Sequence, residues 1–355
     1  MKLVFCFLFS KFLPSPSISY IINSKLINRR GIVLKKLFYL CVQGEVTDTY
    51  NYLKGLEYKT SEQAKMEKQY YNRFYRENPD YKISHEDSWI EAILNTYRSY
   101  FVDVLTNKVD RSVAEDTLME ALNSHLPPNI KGTDMESTEE SLKAIFHQKG
   151  FGFMGGRIEP HYGPFIWKTM DKKTYDFDLP ETTEEVEVYF LDDFLLLSWL
   201  HFATFGEVYA GGWAEKDALY CILPSYYNKL EADSFLVSFL KHESQHYSDY
   251  KQFPKLKGRD LEYRAKLVEL IYYSDYELFE KLLVQAVKNN NPHNYASFII
   301  IERLSKHFLK KDLEKRIEKW NVIDYEEIRH FAKALFDEHT IKLKSQGADT
   351  VEGVI

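Results

Sequence analysis

The apolar positions of residues 45–148 recur at intervals of three and four, which predicts a helical N-terminal domain. The clearest stretch places aromatic and aliphatic side chains on one helix face: Trp89, Ile93, Tyr97, Tyr100 and Phe101. Three of the predicted helices end at residues that cannot continue them, at Pro79, at Pro127 and Pro128, and at Gly150.

The pattern changes after Gly150. Residues 150–225 are rich in β-branched and aromatic residues in partial alternation, which predicts a twisted sheet with a helical insert near "FLLLSWLHFATFG". The carboxylates of "EEVEVYFLDDF" alternate with apolar residues, so we expect them on a solvated strand face. From Asp233 the helical spacing returns, with a break at Pro254 and Asp260 as a cap of the next helix. The order of helices, sheet and helices predicts an α+β protein with domains at 45–148 and 149–355.

Residues 1–44 contain no acidic residue and seven lysines and arginines. Such a basic extension is typical of a targeting segment, either a signal peptide or an organellar transit peptide. A disordered extension, or a start codon placed too early, would give the same composition. The cytoplasm is the favoured location, and an exported or organellar protein stays an alternative.

Composition limits the partners and the metal ligands that this chain can be expected to have. The chain has 45% hydrophobic and 28% charged residues, as soluble globular proteins have. The net charge of −7, without a basic stripe, speaks against a nucleic-acid partner. The folded region has no apolar run of about 18 residues, so no integral membrane segment is expected there. The chain has three cysteines, which are far apart in the sequence: Cys6, Cys41 and Cys221. A bound metal would therefore use histidine and carboxylate ligands.

The stretch "HESQH" carries the most specific chemistry. Residues i and i+4 of a helix lie one turn apart on one face, so His242 and His246 can direct imidazole nitrogens at a single ion. Glu243 follows the first histidine and can take a proton from a water on that ion. We therefore expect a metal site with Glu243 as a general base.

A third ligand is expected on the next helix. Glu262 lies sixteen residues after His246, and the intervening Pro254 and Gly258 allow the chain to turn back. Glu269, two turns after Glu262, could orient a ligand histidine as a hydrogen-bond acceptor. Glu269, or a residue further on, is the alternative third ligand.

"HESQH" followed by "LEYRA" resembles the gluzincin class of zinc metallopeptidases. The resemblance covers about thirty residues. It implies a Zn²⁺ site formed by His242, His246 and Glu262, with Glu243 as the base and a peptide or protein as substrate. It also implies a zincin-like domain over 149–355, in which a small twisted sheet is followed by a helical subdomain.

In zincins an edge strand upstream of the catalytic helix pairs with the substrate. Here Gly211 and Gly212 would allow such an approach, and a plain hairpin is the equal alternative. A donor for the developing oxyanion is expected at His293 or Tyr295, with Tyr263 and Arg264 as weaker candidates. We assign structural roles to the remaining histidines discussed here: His161, His201, His307, His330 and His339.

The predicted function is therefore zinc-dependent hydrolysis of peptide (amide) bonds. One alternative is a catalytically silent zincin-like protein with a binding or regulatory role. The other is a helical interaction protein in which the motif is accidental. In that last case His242, His246 and Glu262 would lie apart in space.

Overall fold

The computed structural model describes residues 18–22, 44–215, 218–274, 276–351 and 353–355. Five helices come first: α1 (Val46–Lys54), α2 (Ser61–Tyr70), α3 (Ser88–Leu105), α4 (Arg111–Ser124) and α5 (Met135–Gln148). A short helix, α6 (Ser198–Ala203), lies among the strands. The later helices are α7 (His242–Gln252), α8 (Arg259–Tyr272), α9 (Glu277–Gln285), α10 (Pro292–Leu304) and α11 (Tyr325–Gln346).

The strands form a curled mixed sheet and a separate short ribbon. They are β1 (Ile18–Ile22), β2 (Gly152–Met154), β3 (Arg157–Ile158), β4 (His161–Tyr162), β5 (Phe165–Asp178), β6 (Thr183–Leu197), β7 (Val208–Ala214) and β8 (Leu219–Ile222). The order in the sheet is β1-β7-β8-β6-β5-β2, and β3 pairs with β4 in the ribbon. Helices and strands in this arrangement make an α+β protein, which confirms the predicted class.

The chain forms two compact units. Of the described residues from 44 onward, the N-terminal unit holds 44–170 and 191–210, and the C-terminal unit holds 171–190 and 211–355. Compact units need not coincide with folding domains, so the predicted bounds 45–148 and 149–355 stay predictions. The predicted extension 1–44 lies outside the described residues except at 18–22 and 44.

The N-terminal unit follows the predicted helical spacing. The buried face of α3 includes Ile93, Tyr97 and Phe101. Side-chain caps begin several of these helices, with Asp87 accepting hydrogen bonds at the start of α3 and Thr60 forming a capping box on α2. His161, assigned a structural role above, is buried with its ring edge against Trp199.

The C-terminal unit is organised around α8. Every residue from Asp260 to Leu270 is buried, because α7, α10 and α11 all pack against this helix. A helix that is enclosed on all sides must bury its polar residues as well, and α8 does so with Glu262, Arg264 and Glu269. Most of its apolar residues join one large core cluster with α9, α10 and α11, while Leu261 packs in a smaller cluster with Phe253, Leu256 and Leu343.

Four local expectations differ from the structure. The helix before His242 is π-helical over Leu236–Lys241, where a regular α-helix was predicted. The spacing in "NYASFIIIERLSKHFLKKDLEKRI" predicts a helix that continues to residue 317, but α10 ends at Leu304 and a π-helical segment over Ser305–Leu309 follows it. Asp260 does not cap α8, because Gly258 occupies that position and Asp260 accepts hydrogen bonds from the backbone of 353–355.

The fourth difference concerns the strand expected to pair with substrate. β7 lies between β1 and β8, and β8 lies between β7 and β6, so neither is an edge strand. A methyl group on Gly212 would collide with the carbonyl oxygen of Tyr220 and with the ring of Phe239. The glycine is therefore explained by close packing inside the protein.

The alternation predicted for "EEVEVYFLDDF" is present in β6. Val186, Val188 and Phe190 are buried, and Glu185 is exposed. Glu184 is buried instead, where it accepts a hydrogen bond from Lys251 at 2.6 Å. Among the described residues, no helix is both long enough and apolar enough to span a membrane.

Candidate metal centre

Two adjacent helices bring His242, His246 and Glu262 together. α7 carries the two histidines one turn apart, and the first turn of α8 carries Glu262. The Nε2 atoms of His242 and His246 lie 3.7 and 3.5 Å from the carboxylate oxygens of Glu262. One donor atom from each residue lies within 4.8 Å of the other two, which is a spacing that a single ion can bridge.

The three side chains are almost completely enclosed. His246 is 0% exposed, and His242 and Glu262 are 3% exposed. Within the described part of the chain, the Nε2 atoms of His242 and His246 have no hydrogen-bond partner. A buried polar atom without a partner costs about 1–3 kcal/mol, and a coordinated ion would satisfy both nitrogens. This buried His-His-Glu group could therefore bind a metal ion.

Glu269 contacts His242 on the side of the ring away from Glu262. Its Oε1 lies 2.6 Å from Nδ1 of His242, the nitrogen that faces away from Glu262. Burial alone would lower the pKa of His242, but the charges of Glu269, Glu262 and Glu243 and the hydrogen bond outweigh it and raise the pKa to about 9. Such an acceptor fixes the orientation and tautomer of a ligand imidazole.

Glu262 has a second neighbour, His293, in the first turn of α10. The Nδ1 atom of His293 lies 2.6 Å from Oε2 of Glu262. Burial would raise the pKa of Glu262, but His293 and His246 together hold that pKa well below its usual range. His293 is 21% exposed, so it joins the enclosed group to the protein surface.

Glu243 is 0% exposed and follows His242 in α7. Its negative charge is one of the causes that raise the pKa of His242, so the two side chains are electrostatically coupled. A buried carboxylate close to the imidazole of His242 can exchange protons with a molecule held at that ring.

The other predicted donors lie in different surroundings. The ring of Tyr295 lies 3.9 Å from the guanidinium of Arg259, and its hydroxyl makes no hydrogen bond to any residue that the structure describes. Tyr263 packs on His339, with ring centroids 5.1 Å apart. Arg264 donates to Asp249 and does not contact the His-His-Glu group through any described hydrogen bond. The structure thus brings His293 into contact with Glu262, whereas the described contacts of Tyr295 are with Arg259 and Phe298.

A buried charged pair that the sequence pattern does not predict joins α7 to α8. Arg264 and Asp249 are both 0% exposed, with Nε 2.8 Å from Oδ1, and Gln245 donates to the same oxygen. The guanidinium also donates to Thr340 and lies over the ring of Phe336. The available signal was the spacing of Asp249 three residues after His246, which places both on neighbouring positions of one helix.

Comparison of the chain with family models, curated proteins and solved structures finds no match. The site must therefore be interpreted from its own geometry.

Proposed function

We propose that this protein is a zinc-dependent hydrolase of peptide (amide) bonds, with a zincin-like domain of the gluzincin kind. The observation that carries the proposal is the buried group itself: two ring nitrogens without partners face Glu262, and the next residue after His242 is a glutamate. Two histidines and a glutamate are a ligand set typical of catalytic zinc, which leaves one coordination position for water or substrate.

Zinc, when bound, would supply a water of lowered pKa and a Lewis acid for the scissile carbonyl. In this proposal His242, His246 and Glu262 hold the ion. Glu243 accepts a proton from the attacking water and returns it to the leaving amine. A site that needed zinc only for folding would have no use for a buried carboxylate at that position.

His293 is proposed as the donor to the oxygen that becomes negative during hydrolysis. Its 2.6 Å contact with Glu262 and its 21% exposure support this role. Glu269 has a positioning role, because its hydrogen bond holds the ring of His242 without contact to a substrate.

A catalytically silent zincin-like protein is the second candidate, and one observation favours it. The three proposed ligands are at most 3% exposed, and zinc sites that serve only structure are closed. Such a protein would use the metal to join α7 to α8 and would bind a partner elsewhere.

Hydrolysis of a mixture of peptides by the zinc-loaded chain separates the two candidates. The first predicts cleavage by the wild type and a loss of at least about a hundredfold in Glu243→Gln, with zinc content unchanged. The second predicts the same zinc content and no cleavage by either protein. Mass spectrometry of the new termini would show whether cleavage is internal or terminal.

A further inference from the structure

Arg259 stands at the surface beside the proposed site. It is the first residue of α8 and lies three positions before Glu262, so the two share one side of the helix, about 5–6 Å apart between Cβ atoms. Its side chain contacts Tyr295 in the first turn of α10, and the same turn carries His293. Arg259 and Glu262 therefore share the first turn of α8, and the first turn of α10 supplies both Tyr295, which contacts Arg259, and the partly exposed His293, which contacts Glu262.

The side chain of Arg259 is held in place without being neutralised. Its guanidinium lies 3.9 Å from the ring centroid of Tyr295, and Nη2 donates to the amide oxygen of Asn290 at 3.3 Å. A stacked guanidinium keeps its charge and its remaining N–H donors available. Neither partner is a carboxylate.

The other described arginines of the C-terminal unit are all neutralised. Each pairs with an acidic side chain: Arg264 with Asp249, Arg303 with Glu338, Arg316 with Glu314 and Arg329 with Glu326. Within the described residues of this unit, Arg259 alone among the arginines has no such pair. An oriented guanidinium without a counter-ion is suited to a carboxylate from outside the protein.

We propose that Arg259 binds a carboxylate of the substrate and so sets which peptides reach the site. The substrate class is peptides with a carboxylate near the scissile bond, either the C-terminal carboxylate or the side chain of Asp or Glu. Tyr295 is then a positioning residue that holds the guanidinium, rather than an oxyanion donor. This inference rests on the proposed function for its substrate class, but binding can be measured separately from hydrolysis.

The experiment measures peptide binding to the zinc-loaded full chain carrying Glu243→Gln, by calorimetry. Three sets of N-acetylated random pentapeptides are compared: free acids without Asp or Glu, C-terminal amides with Asp or Glu, and amides without either. Arg259→Gln and Arg259→Lys are made on the same background. Arg303→Gln is the matched control, because that arginine is already paired with Glu338.

We expect at least one carboxylate-bearing set to bind roughly ten- to a hundredfold more tightly than the neutral amides, the range of a charge-assisted hydrogen bond. Arg259→Gln should remove that difference, Arg259→Lys should keep part of it, and Arg303→Gln should keep it all. The favoured set identifies the C-terminal or the side-chain carboxylate.

Equal binding of all three sets, no binding of any set, or a preference that survives Arg259→Gln would overturn the inference. Melting temperatures of the variants exclude loss of fold as the cause. A carboxylate preference that depends on Arg259, without cleavage by the wild type, would keep this inference and remove the proposed hydrolysis. Cleavage by the wild type without a carboxylate preference would keep the proposed hydrolysis and overturn the role of Arg259.

Discussion

The imidazole of His242 has a carboxylate at each of its nitrogens, because Nδ1 lies 2.6 Å from Glu269 and Nε2 lies 3.7 Å from Glu262. Both glutamates belong to α8, two turns apart on one face, so a single helix presents both carboxylates to this ring. The nearer carboxylate forms a hydrogen bond, while the farther one shares with His246 the space that an ion could fill. This division is the basis for separate roles of the two glutamates.

Glu269→Gln should weaken zinc binding without removing the site. The amide still contacts the ring of His242 but loses the charge that favours the required tautomer, so we expect zinc affinity to fall about 10–100-fold. Competition with a fluorescent chelator measures the affinity. The exposed Glu280 of α9 offers a matched control, and Glu280→Gln should bind zinc like the wild type. Unchanged affinity in Glu269→Gln would contradict the positioning role.

The fold class could be predicted from sequence because helical and alternating spacing are local signals. The buried helix α8 has features that these local signals do not predict. "DLEYRAKLVEL" has polar residues at positions that a surface helix would expose, yet every one of them is buried. Only tertiary partners such as Asp249 and Thr340 explain Arg264, and these lie 15 and 76 residues away.

The candidate site also contains some residues that local spacing predicts and others whose roles depend on tertiary contacts. His242, Glu243 and His246 form a local motif, so spacing alone could single them out. Glu262 and Glu269 were alternatives until the crossing of α7 and α8 placed them at different nitrogens of His242. The π-helical segment Leu236–Lys241 carries no distinctive sequence signal, although such segments are frequent at functional sites.

Asp249→Asn should destabilise the C-terminal unit strongly. The change leaves the fully buried Arg264 without its nearest counter-charge, which typically costs about 3–5 kcal/mol. Urea denaturation measures the free energy of unfolding. Glu338→Gln removes the partly exposed partner of Arg303 and should cost less than about 1 kcal/mol. Similar losses in the two variants would mean that the buried pair contributes no more than a surface pair.

Gly212→Ala should also lower stability, since the added methyl group has no room between the backbone of Tyr220 and the ring of Phe239. We expect a loss of about 1–3 kcal/mol, the usual cost of overpacking. In Gly55→Ala the new methyl group comes no closer than 3.3 Å to the nearest atom, so that variant should unfold almost as the wild type does. A stable Gly212→Ala protein would reopen the interpretation of this strand as an open approach for substrate.

Glu139 makes stability depend on pH. Burial raises its pKa from 4.5 to about 7, although Tyr97 and the backbone N–H of Gly156 donate hydrogen bonds to it. Since the pKa is higher in the folded state, its contribution is present below pH 4.5 and is lost as the pH rises through 7. The loss amounts to about 3 kcal/mol.

Unfolding free energies at pH 4.5 and pH 8 test this dependence. The decrease between the two pH values should be smaller in Glu139→Gln than in the wild type by about that amount. Glu140→Gln removes an exposed charge that is the smallest of the causes raising the pKa of Glu139, so it should keep most of the wild-type decrease. The same decrease in all three proteins would show that Glu139 titrates normally.

In the proposed site His242, His246 and Glu262 hold one zinc ion, and elemental analysis measures the zinc content of the chain. The full chain, purified and then equilibrated with zinc and desalted, should contain about one zinc per chain. Glu262→Ala should lose that zinc, while Glu269→Ala should retain it when zinc is in excess. A wild-type chain that retains no zinc, or a Glu262→Ala chain that retains it fully, would contradict the site.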